Sequence, residues 1–139
     1  MDKCVFIDNW SLFGGSKDIF LKNFNKYKGN NNASFIEEDC FKLDTSNLGK
    51  FNVYMYDAKH DEIFQYMALN YYYKNLEDEF IYIVDDWNGE DVRNGTYKAI
   101  KENNLEILYF KEYFTKAIRG NGTPFDWLNG IGIFVLKKK

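Results

Sequence analysis

The sequence predicts an α/β domain with a largely parallel sheet, and three observations predict it. Apolar, β-prone runs alternate with runs of helical period as far as residue 104, the strand-like runs end in carboxylates, and the last two strand-like runs follow one another with no helix between them. A length of 139 residues fits one domain. With 45% hydrophobic and 19% aromatic residues the chain is too apolar to stay unfolded.

Cys4 to Ile7 is a short apolar strand that reaches a polar edge at Asp8. A loop with Trp10, Phe13 and Gly14–Gly15 leads to Ser16, whose hydroxyl can accept from the open amides of a helix carrying Ile19, Phe20, Phe24 and Tyr27 on one face. Gly29 and the Asn run behind it stop that helix. Ala33 to Ile36 is a second strand, closed by Glu37, Glu38 and Asp39, and Asp44 to Gly49 is loop or a short helical turn. Phe51 to Tyr56 is a third strand, ending at Asp57. Between Asp61 and Asn75, Ile63, Phe64, Met67, Ala68 and Tyr71 recur at helical spacing, with Asp61 and Glu62 near the positive end of the dipole.

Phe80 to Val84 is five consecutive β-prone residues, which suits a strand covered on both faces, and it ends in Asp85–Asp86. Asp91 to Asn103 is a helix through Val92, Tyr97 and Ile100, and Leu105 to Phe110 a strand. A polar stretch from Thr115 to Gly130, holding Pro124, leads to the closing strand Ile131 to Leu136. The direct connection makes the last two strands an antiparallel pair.

A net charge of −3 gives no pull toward phosphate backbones, so nucleic acid is not an expected partner, and Lys137 to Lys139 are a solvated tail. No window reaches the ~20 apolar residues of a membrane span and no signal peptide is visible, so a cytoplasmic protein is expected. Cys4 and Cys40 stand far apart with no metal-ligand spacing, which predicts two reduced thiols. The N-x-Ser/Thr triplets at Asn9, Asn32, Asn94 and Asn121 then carry no glycan. Gly14–Gly15 and Asn94-Gly95 form no phosphate loop. Trp10, Trp87 and Trp127 are candidates for a pocket wall or for core, and Tyr71 to Tyr73 for helix packing.

Ligands of open α/β sheets sit beyond the carboxyl ends of the strands, where Asp8, Asp39, Asp57 and Asp85–Asp86 all fall. Each acid alone could equally cap the helix that follows. Carboxylates from adjacent strands suit Mg²⁺, which makes Asp57, Asp85 and Asp86 a candidate hard-cation site. His60 is the chain's one histidine and stands three residues past Asp57, where it could accept a substrate proton at neutral pH or serve only at the surface.

The segments Ile7-Asp8-Asn9-Trp10, Tyr56-Asp57-Ala58-Lys59-His60 and Ile83-Val84-Asp85-Asp86-Trp87, in that order and spacing, resemble class I S-adenosylmethionine (SAM)-dependent methyltransferases, and among them the metal-assisted O-methyltransferases. The resemblance runs from the family's second strand to its last. It implies that Asp8, with Asn9 and Trp10 beside it, binds SAM through the ribose hydroxyls, and that Asp39 lies near the adenine amino group. It implies Mg²⁺ on Asp57, Asp85 and Asp86, with His60 as general base, and transfer of the SAM methyl group to a substrate oxygen. Ala58 stands where related sequences have glycine.

The family's glycine-rich loop, first strand and following helix would precede Cys4, where only Met1 to Lys3 stand, so the expectation is a Rossmann-like methyltransferase fold truncated at its N-terminus. In the family strand order 3-2-1-4-5-7-6 the first strand separates the second from the fourth, and its loss exposes unpaired amides and carbonyls. The second and fourth strands could pair directly, a partner chain could supply a strand, or two copies could join edges as a homo-oligomer. The functional expectation is a SAM-dependent O-methyltransferase-like protein for a small-molecule hydroxyl, a sugar or a phenol, with Mg²⁺ assistance, incomplete or inactive on its own. The alternative is a non-catalytic interaction protein or inhibitor on a degenerate methyltransferase fold.

Overall fold

The computed structural model describes residues 3–11, 16–116 and 127–139. They form β1 (Lys3–Ile7), α1 (Lys17–Tyr27), β2 (Asn32–Ile36), β3 (Phe51–Tyr56), α2 (Glu62–Tyr72), β4 (Leu76–Asp85), α3 (Glu90–Glu102), β5 (Glu106–Tyr113) and β6 (Ile131–Lys137), with a single 3₁₀ turn at Tyr73–Asn75. Each strand and helix expected from the sequence is present, with shifted ends. Phe13, Gly14–Gly15, Asn121 and Pro124 lie outside the described residues. The chain divides into two compact units, Met1–Asp44 and Thr45–Lys139.

In the first unit β1 and β2 run parallel, in register from Lys3 opposite Asn32 to Ile7 opposite Ile36. The Ser16 hydroxyl accepts from the Ile19 amide and starts α1, and Gly29 at φ 53° ends the turn after it. No residue of α1 is fully buried. What holds the helix to the strands is an aromatic cluster: Phe20 lies 5.1 Å from Phe35 and 6.0 Å from Phe6, and Phe24 lies 5.7 Å from Phe6.

The second unit is a four-stranded sheet in the order β3-β4-β6-β5. β3 and β4 are parallel, and β6 is antiparallel to both β4 and β5. Counting β1 as the family's second strand, the two ladders reproduce the 3-2 and 4-5-7-6 parts of the family order.

Both crossovers of this sheet, β3-α2-β4 and β4-α3-β5, progress in one direction, so right-handed connections put both helices on one face. That face is the core: Phe80, Tyr82 and Val84 of β4 and Phe134 and Leu136 of β6 are buried with Ala68, Leu69, Val92, Ala99 and Ile100 of the helices. The helices touch where a Cβ on Gly95 would stand 2.4 Å from the Glu62 carbonyl, so only glycine fits. The opposite face carries Val53, Met55 and Ile81 at 48%, 44% and 37% exposure. The expectation that β4 is covered on both faces is therefore corrected for this unit: among its described residues, helices cover one side of the apolar run only. Among the described residues no helix is long and apolar enough to cross a membrane.

Candidate functional site

Tyr56 of β3 is registered opposite Val84 of β4 in a parallel pair, so the next residues, Asp57 and Asp85, emerge side by side at the carboxyl edge. Asp61 is occupied in capping α2, accepting from the Phe64 amide at 3.0 Å. The loop between them is tied down by the Tyr56 hydroxyl, which donates to the Lys59 carbonyl at 3.1 Å, and it turns without a positive φ at Ala58. This carries His60 back over the strand ends.

One ligand atom from each of Asp57, His60 and Asp85 lies within 4.8 Å of the others. Asp86 sits at φ 52°, a backbone conformation that non-glycine residues adopt where surrounding structure enforces it. Its Oδ2 accepts from His60 Nδ1 at 2.7 Å. The other ring nitrogen, Nε2, is 3.7 Å from Asp57 Oδ1, and it is buried with no hydrogen-bond partner among the described residues. Burial, then the hydrogen bond and charge of neighbouring Asp85, push the Asp57 carboxyl up to about 6. The Trp127 indole N–H donates to Asp85 Oδ1. These donors suit a divalent cation: two crowded carboxylates whose repulsion a cation would relieve, and a buried nitrogen in want of a partner.

Beside the cluster is a cavity of about 340 Å³ lined by His60, Asp86, Asn88, Gly89, Val92 and Asn129. Its Asn88 wall is fixed, since the amide donates to the Thr115 carbonyl at 2.6 Å and accepts from the Thr115 N–H at 3.2 Å. The Arg93 guanidinium donates to the Trp87 and Asn88 carbonyls at 2.7 and 2.8 Å, holding the turn between β4 and α3. Asn88 and Asn129 were not singled out as site residues by the sequence, and Trp127 only as a candidate for a pocket wall or for core. The Asp-Asp-Trp-Asn-Gly run after β4 could have pointed to Asn88, whereas Trp127 meets Asp85 across 42 residues and leaves no local signal.

The other expected site residues belong to the first unit. Asp8 is exposed at the end of β1, its Oδ1 accepting from the Trp10 amide at 2.8 Å, and Asn9 Oδ1 accepts from the Ser11 amide at 3.0 Å. Asp39 follows β2, accepting from the Phe41 amide at 2.9 Å. Burial raises the Cys40 thiol pKa, and the charges of Asp39 and, less, Asp8 raise it further. Trp10, at φ 58°, packs 5.3 Å from Phe20 and 5.9 Å from Phe35, and its indole N–H is buried with no hydrogen-bond partner among the described residues. Of the other two tryptophans, Trp87 is core.

No family model matches the sequence, and no curated protein matches it. Among solved structures, a proposed methyltransferase from Thermoplasma acidophilum superimposes with TM-score 0.62 at 10% identity, over 99% of this chain and 57% of that one. The plantazolicin methyltransferase BpumL, in complex with SAH, aligns with TM-score 0.44 at 10% identity, over 99% of this chain and 76% of that one, a similarity too low to bear on the fold. The chain thus spans little more than half the length of the Thermoplasma protein. Identity at this level speaks of architecture alone, and the architecture is an α/β fold shared with the Thermoplasma structure.

Proposed function

We propose that the chain serves SAM-dependent O-methylation of a small molecule, a sugar or a phenol, in the cytoplasm, with the acceptor hydroxyl activated at the rim of Asp57, His60, Asp85 and Asp86. The observation that carries this reading is that rim itself: carboxylates and an imidazole gathered beside a cavity at the carboxyl ends of parallel strands, where such folds do their chemistry. A divalent cation bound there, Mg²⁺ by the resemblance, would lower the pKa of the hydroxyl. The chain's own part is to hold that ion on Asp57 and its neighbours and to receive the acceptor against Asn88 and Asn129. Asp8, assisted by Asn9 and Trp10, is the proposed ribose contact of SAM, and Asp39 the adenine contact. A reducing compartment fits Cys4 and Cys40, neither of which is in a disulfide.

Calorimetric titration of the chain with SAM, with and without Mg²⁺, tests this reading. Binding is expected, weakened at least ~10-fold in Asp8→Ala by loss of a charge-assisted bond to the ribose. No heat in either condition removes the reading of this chain as a methyltransferase on its own. The exposed apolar face of Val53, Met55 and Ile81 favours a second reading, an interaction protein that packs a second copy or a partner chain against that face. A strictly monomeric mass under native conditions, with SAM bound, would leave the first reading alone.

A further inference from the structure

An imidazole among carboxylates can take a proton from a substrate or hold a cation, and the position of its nitrogens decides which. A base needs one nitrogen open to the acceptor. Neither nitrogen of His60 is: Nδ1 is engaged by Asp86 at 2.7 Å, and Nε2 is buried and turned toward Asp57 Oδ1 at 3.7 Å. With the Nδ1 proton held by Asp86, the lone pair lies on Nε2, the nitrogen that faces Asp57. A metal-ligating histidine has this arrangement, its second nitrogen donating to a carboxylate that fixes tautomer and ring plane.

We propose that His60 is a ligand, through Nε2, of a divalent metal centre completed by Asp57 and Asp85, and that Asp86 is its positioning residue. This rests on reading the rim as the acceptor-activating site and changes the ion it takes. One nitrogen and two carboxylates suit the borderline first-row ions, manganese to zinc, whereas Mg²⁺ prefers oxygen donors and keeps its waters. The three acids at 57, 85 and 86 thus have two different tasks, two in direct coordination and one behind the imidazole.

His60 is the chain's one histidine, so ¹⁵N-imidazole NMR of the whole chain reports this ring alone. Zn²⁺ is expected to move the Nε2 resonance to a metal-bound position while the Nδ1 proton stays, and calorimetry should find Zn²⁺ bound at least ~100-fold more tightly than Mg²⁺. Asp86→Asn should weaken Zn²⁺ by about 10–100-fold and mix the tautomers of the metal-free ring, which a merely structural role would not do. Ring resonances that ignore Zn²⁺, or Mg²⁺ binding as tightly as Zn²⁺, overturn the proposal, and the first needs no variant to fold. SAM binding with an unmoved ring discards this assignment alone, and a shifted ring without SAM binding discards only the reading of this chain as a methyltransferase on its own.

Discussion

Gly132 meets the indole of Trp87 so closely that a Cβ would stand 2.7 Å from Cδ2 and Cε3. The ring has nowhere to go: it is fully buried, Tyr97, Phe110 and Phe134 stand 5.8, 5.7 and 5.4 Å from it, and its N–H donates to Glu112 at 2.9 Å. Gly132→Ala is therefore expected to lose about 1–3 kcal/mol of stability, measured by urea unfolding. An unchanged midpoint would mean that the indole yields. At this scale the candidate acids and His60 are legible in the sequence because each stands just past a strand-like run. Who bonds to whom is not. The left-handed backbone of Asp86, which turns its carboxylate to His60, depends on the turn built by Gly89 and Arg93; aspartate tolerates that conformation but does not announce it.

Gln65 of α2 is fully buried, and its amide donates to the Tyr82 hydroxyl of β4 at 3.0 Å and the Thr96 hydroxyl of α3 at 3.1 Å. One polar contact thus joins three elements inside an apolar core. Burial holds the Tyr82 phenol far above the usual tyrosine range, reinforced by nearby Tyr56. Above about pH 10 the unfolded tyrosine sheds its proton while the folded one keeps it, so the folded state binds more protons and stability must fall as pH rises. The share from Tyr82 is about 1.4 kcal/mol per pH unit. Tyr82→Phe is expected to be about 1 kcal/mol less stable near neutrality and to lose less than the parent between about pH 9 and pH 11, so the two urea-midpoint curves converge. Parallel curves would place the phenol in water. The elements themselves are legible from period and, at Ser16, from capping; Asp61, expected in the first turn of its helix, is the cap instead. The open face of β4 is not, since an apolar run looks the same whether one or two layers cover it.

The order of strands is the least local property of the chain, yet half of it follows from a single rule. A helix between strands means a parallel crossover, which gives β1 beside β2 and β3 beside β4. That β6 enters between β4 and β5 follows from no residue pattern, and it came only with the family resemblance. Because β6 provides one ladder to each neighbour, removing residues 131–139 should abolish the tertiary structure of the second unit, seen as loss of the near-ultraviolet circular dichroism of buried Trp87 and Tyr82. A surviving signal would show that β5 can close onto β4 directly. The same insertion sets a schedule for synthesis. As the polypeptide leaves the ribosome, two sticky borders wait beside each other for their shared filler, so this unit can finish only after translation has passed Leu136, and a chaperone that shields those borders has its work in that interval.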